Sequence, residues 1–184
     1  MAYDQRLMEM WRALPVLEGD SLPRRDAIKP VFISSILSNC WQLIWQKDDK
    51  LIIDYEGGEI EAMWGGTALG RDFLAHYRPA KKAQFLAFYQ HLFSTPCGAT
   101  FVRAIHRENG PHYILITNFV PLLSQDGNQR IIFGTSEMSG DFKNDTGRLD
   151  FDKAEMVSAN YIDLGYGIPH QQASEPNTDS EKHQ

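Results

Sequence analysis

Six histidines, two cysteines and a scatter of serines and carboxylates are the residues here with chemistry to offer. A hydrolytic metal centre needs histidines and an acid at helical-turn spacing, because the ligands must converge on one point. His76, His106 and His112 lie far apart and no such spacing occurs. Cys40 and Cys97 also lack metal-ligand spacing, and a chain of 184 residues needs no disulfide framework. Ser34, Ser35 and Ser136 stand outside any strand-turn-helix context that would expose a nucleophile. The pairs Gly57-Gly58 and Gly65-Gly66 end elements, and neither leads into the Lys-Ser/Thr of a phosphate loop. No catalytic motif is visible, and an enzyme is not expected.

What remains is the chemistry of a pocket. Tyr55, Trp64, Phe73, Phe88, Tyr113, Phe119 and Phe133 supply large apolar walls, with Arg103, Thr117, Asn118 and Ser136 as polar anchors. The plain alternative is a filled core in which these rings only pack, and a filled or small-cavity interior is the preferred reading. Arg103 is the informative residue. Alternation places it on the face of Phe101 and Ile105. If that face is inward, the guanidinium needs an anion, either a carboxylate of the chain or the acidic group of a ligand. If it is outward, Arg103 is ordinary surface.

These residues must be positioned by the elements around them. Residues 101–107, 113–123 and 131–138 are β-branched and aromatic runs separated by Asn109-Gly110 and Asp126-Gly127, which predicts an antiparallel meander. Residues 40–46 alternate into a further strand, and residues 51–56 return as its hairpin partner. Between the two groups come short helices over 59–64 and 71–77 and a longer one from Pro79 to about Thr95. Those helices would cover one face of a five-stranded antiparallel sheet, an α+β layout.

At the N-terminus, Asp4 is a plausible cap, and Tyr3, Leu7, Met10, Trp11 and Leu14 recur at helical spacing. This stripe either packs on its own domain or pairs with a second copy, which makes Leu7, Met10, Trp11 and Leu14 the dimer-interface candidates. The expected organisation is a helix and linker over 1–22, a domain over 23–140, an extension over 141–164 and a tail over 165–184. A helix is expected around 152–160, and the polar tail is expected to be disordered.

The chain carries 18 Lys and Arg against 24 Asp and Glu, a formal charge of −6, which argues against a nucleic-acid partner. Arg24-Arg25 and Lys81-Lys82 read as solvated surface charge, with Asp26 available to pair with an arginine. No signal peptide and no membrane-spanning run is visible, so a cytoplasmic location is expected, with no membrane partner.

The element order of two strands, short helices, a longer helix and three strands resembles that of a PAS domain. Met10-Trp11-Arg12-Ala13-Leu14 followed by Leu22-Pro23-Arg24-Arg25-Asp26-Ala27-Ile28-Lys29-Pro30 is similar to the Trp-containing helix and Pro-x-Arg-x-Asp segment of small bacterial PAS proteins. One residue more, Ala27, precedes Ile28 here. Trp64-Gly65, Leu69-Gly70-Arg71, Val120-Pro121-Leu122-Leu123, Asp126-Gly127 and Ile131-Ile132-Phe133-Gly134 resemble later elements, so the likeness covers residues 5–140.

The resemblance implies a pocket between the helices and the inner sheet face, and homodimers joined through an N-terminal helix. It implies a stand-alone cytosolic sensory or adaptor protein of bacterial signalling that binds a small ligand, a partner protein or both. The alternatives are a haem- or small-molecule-dependent enzyme and a ligand-free structural dimerisation module. Flavin photochemistry would need a cysteine in an Asn-Cys-Arg-Phe-Leu-Gln type segment on a pocket-facing helix. Asn39-Cys40-Trp41-Gln42 begins a strand instead, and a flavin adduct is rejected. Haem would need an axial histidine. His91 falls with Gln84 and Ala87, away from the apolar stripe of the long helix, and should face water; His76 is the second candidate. For each, a surface or capping histidine is the expected reading, and the cofactor is otherwise unknown.

Overall fold

The computed structural model describes residues 3–75, 77–107, 112–140 and 149–169. The chain forms helix α1 (Tyr3–Arg12), a helical turn α2 (Pro30–Ile33), and strands β1 (Cys40–Gln46) and β2 (Lys50–Glu56). Helices α3 (Gly58–Trp64) and α4 (Pro79–Ser94) follow, then strands β3 (Cys97–Arg107), β4 (His112–Leu123), β5 (Arg130–Met138) and β6 (Leu149–Asp163). The sheet runs in the order β2-β1-β5-β4-β3-β6, with every neighbouring pair antiparallel. The long β2–β3 connection carries α3 and α4 across one face and leaves β1 free to pair with β5. This is the α+β arrangement the sequence predicts, with a sixth strand added to the expected five.

That sixth strand replaces the helix expected around residues 152–160. β6 lies along β3, with Met156 opposite Arg103 and Tyr161 opposite Ala99. An isolated segment of this length makes a marginal helix, whereas β3 offers it a full edge of unpaired backbone groups. The described residues of 71–77 do not form the short helix expected there either. Gly70 and Phe73 donate to the Ile53 and Leu51 carbonyls at 2.8 and 2.7 Å, and the Ile53 N–H donates back to Arg71 at 3.0 Å. The segment is thus bound to the free edge of β2. Asp72 helps, because its carboxylate accepts from the Leu51 and Leu74 amides and competes with helix formation.

Both faces of the sheet are covered. Trp41, Leu43, Phe101, Leu115 and Phe119 face α3 and α4, while Val120, Leu122, Ile131 and Phe133 face α1. Of the two roles open to the N-terminal stripe, the structure shows packing on the chain's own domain. Leu7 and Trp11 are 0% and 3% exposed, and Met10 and Leu14 are half-buried against the same cluster. The Trp11 indole N–H donates to the Pro121 carbonyl at 2.7 Å. The dimer-interface assignment of Leu7 and Trp11 is therefore corrected: the second apolar sheet face needs a cover, and α1 supplies it.

Residues 165–169, expected within a disordered tail, continue this packing. The Asp163 carboxylate accepts from the Gly165 and Gly167 amides at 2.7 and 2.9 Å, and Tyr166 meets Trp11 edge-on. Residues 141–148 and 170–184 lie outside the described residues. No helix among the described residues is long and apolar enough to cross a membrane.

The Pro23–Pro30 stretch is tied down by its arginines rather than merely solvated. Arg24 pairs with Asp20 at 2.6 Å, not with Asp26, and it also donates to the Gln125 carbonyl. Arg25 donates to Gln42 at 2.6 Å and lies over the Phe133 ring, and Gln42 in turn donates to Asp54 at 2.7 Å.

The β4–β5 turn is closed by Asp126, which accepts from the Ser124 hydroxyl and from the Asn128 backbone and side-chain amides. These bonds favour the carboxylate and hold its pKa down at about 2. An unfolded aspartate titrates near 3.9, so the contribution is complete above about pH 4 and is lost as pH falls towards 2. The Asp126 carboxyl carbon resonance is expected to titrate with a midpoint far below that of a free aspartate. An ordinary midpoint would show that this carboxylate does not close the turn.

Candidate ligand-binding site

Between the inner sheet face and α3 lies a cavity of about 40 Å³. Trp41, Leu43 and Ile53 of the first hairpin line one part of it, and Phe101, Arg103, Leu115 and Thr117 of β3 and β4 another. Ile60, Met63 and Trp64 of α3, with Phe73, face them, and Tyr89 of α4 and Ser136 of β5 complete the wall. At roughly 10–15 Å³ per water-sized position, the space takes about three such positions. Mostly apolar walls with a few convergent polar groups are the composition of a small-molecule site.

The polar groups differ in how well they are satisfied. The Trp41 indole N–H donates to the Ser136 hydroxyl at 2.9 Å, and the Thr117 and Ser136 hydroxyls share a hydrogen bond of 3.2 Å. Arg103 is only 6% exposed, yet its described partner is the Tyr77 hydroxyl, 3.4 Å from Nη1. Its Nε is buried without any partner. Tyr89 lies close enough to feel the guanidinium, but burial outweighs that attraction and pushes the phenol's pKa up, so it stays neutral.

Strand alternation and one irregularity build this wall. Phe101, Arg103 and Ile105 turn inward together, as the spacing predicts, which settles the orientation of Arg103. Trp41 reaches across β5 because residue 134 is glycine: a Cβ there would lie 2.4 Å from the indole Cζ2. Between β1 and β2 the register shifts, with Gln42 opposite Tyr55 and Leu43 opposite Ile53. The extra residue, Asp54, reverses the parity of everything beyond it.

That shift corrects one pocket candidate. Tyr55 sits on the α1 side, with its hydroxyl donating to the Leu37 carbonyl at 3.3 Å. Phe133 is also on that side, beneath Arg25, since its neighbours alternate from Ile131. Asn118 belongs there too, and accepts from Thr100 at 2.6 Å. Trp64, Phe73, Arg103 and Thr117 do line the cavity, as does Ser136. Phe88, Tyr113 and Phe119 share the inner face but fill the neighbouring core; Phe88 stacks on Tyr161 with ring centres 4.4 Å apart. Sequence reasoning missed Trp41 and Tyr89. Trp41 was legible as an alternating strand residue, and Tyr89 as part of the apolar stripe of the long helix.

The remaining reactive residues lie elsewhere. Cys40 and Cys97 are both buried, and burial pushes their thiols up to about 12, which keeps them protonated. His91 is exposed on α4, edge-on to Tyr161, and His76 lies outside the described residues. His106 and His112 face each other across β3 and β4 with ring centres 4.1 Å apart. Among the described residues, no group of three or more histidine, cysteine or acidic side chains is placed to hold a metal.

Comparison with known proteins agrees with the element order and the roofed sheet. No curated protein matches the chain. A family model described as PAS domain matches residues 2–137, from the N-terminal helix through β5. The chain belongs to the PAS domain family.

Proposed function

We propose that this PAS domain is a sensory module that holds a small ligand in the cavity beneath α3 and passes its occupancy to a signalling partner protein. The observation that carries the reading is the nearly buried Arg103, aimed into a cavity with a partnerless Nε. A buried guanidinium left this way is costly, and a ligand relieves the cost. Only part of the lining is rigid sheet. The rest is the seven-residue α3, Tyr89 of α4, and Phe73 in a segment whose Gly70, Arg71 and Phe73 make three backbone hydrogen bonds to the β2 edge. A ligand that favours one placement of α3 shifts the population towards it, by as much as its affinities for the two placements differ.

Trp41 and Trp64 both line the cavity, so tryptophan emission reports its occupancy directly. Native mass spectrometry of the freshly purified full chain is expected to show a small adduct that denaturation releases. Its removal should shift the tryptophan emission. A bare polypeptide mass, with emission unmoved by a broad panel of small polar and apolar compounds, would remove the sensory reading.

A further inference from the structure

We infer, resting on the pocket reading above, that the ligand class is a small monocarboxylate, with its carboxylate on Arg103 and its short apolar remainder among Trp41, Phe73 and Phe101. Three observations select this chemistry. The first is charge. Arg103 is 6% exposed, and the ion pairs of Arg24 with Asp20, Lys82 with Asp72 and His106 with Glu155 do not reach it. A cation in that setting favours an anion over a neutral guest, and a water would satisfy Nε without balancing the charge.

The second observation is the kind of polar atoms nearby. A guanidinium is a planar fork that matches a carboxylate with two parallel hydrogen bonds, and the free Nε is one prong of it. The other polar lining atoms include the Thr117 and Ser136 hydroxyls, and Arg103 is the one cation among the described lining residues. A single negative charge is therefore balanced, while a phosphate dianion would carry an unpaired charge into an apolar cavity. The third observation is size: about 40 Å³ suits a few heavy atoms in this arrangement of α3.

The test titrates the full chain with sodium propionate, with neutral propionamide and with inorganic phosphate, followed by tryptophan emission and calorimetry. Propionate is expected to bind saturably and the other two are not. Arg103→Met should weaken propionate at least about tenfold, the range of a charge-assisted bond. Without ligand the same variant should melt no lower than the wild type, because it removes a buried unpaired charge. A variant that melts lower and binds propionate unchanged would make Arg103 a structural cation and overturn the inference. Equal binding of propionamide, or binding of phosphate in place of propionate, would overturn the carboxylate class while leaving a ligand pocket standing. Silence from all three probes together with a bare native mass would bring down both readings.

Discussion

Trp11→Ala is expected to lower the stability of the domain by about 3–5 kcal/mol, the range for removing a buried aromatic side chain. Trp11 is 3% exposed within the cluster that α1 forms with Val120, Leu122, Ile131 and Phe133. Its truncation also leaves the Pro121 carbonyl without the indole N–H it now accepts. Trp11→Phe separates the two contributions. It keeps most of the packing and loses the hydrogen bond, which is worth about 1 kcal/mol. Chemical denaturation of both variants supplies the check. If Trp11→Ala left the unfolding midpoint in place but reduced the sedimentation mass, α1 would be a pairing element after all.

The second large effect is expected at Gly134. Its backbone is part of β5, and a Cβ built there meets the Trp41 indole at 2.4 Å and the Asn118 carbonyl at 2.7 Å. Neither neighbour yields easily, since one is a buried ring and the other is backbone. Gly134→Ala should therefore cost about 1–3 kcal/mol as overpacking. It should also push the indole towards the cavity and break its bond to Ser136, which sits at 2.9 Å. A shift in tryptophan emission should accompany the loss of stability. Trp41→Leu removes the ring that clashes, so the double variant should be markedly less destabilised than the sum of the two single ones. Strict additivity would show that the close approach of residues 41 and 134 is not what makes glycine necessary.

Much of the site was legible from strand spacing alone. Arg103 alternates with Phe101 and Ile105, so one inward residue implied the other two, and the same periodicity carried Thr117 with Leu115 and Phe119. Phe133 was not legible in this way. Ile131, Ile132 and Phe133 are all apolar because both faces of β5 are buried, and parity then carries no information about side. Tyr55 was lost to the β1–β2 register shift, which exists only once the two strands are paired.

By itself, the sequence determined the five core strands, the helices α3 and α4 between them and the common face of Phe101, Arg103 and Ile105. Each follows from residue type and local period, which act over a few neighbours along the chain. Only the tertiary structure decided that β6 becomes a strand, that α1 covers its own sheet, and that the buried guanidinium meets a cavity instead of a carboxylate. Those outcomes depend on partners distant in sequence: β6 needs the open edge of β3, α1 the bare face of β4 and β5. The space beside Arg103 is whatever side chains from five strands, two helices and Phe73 leave unfilled.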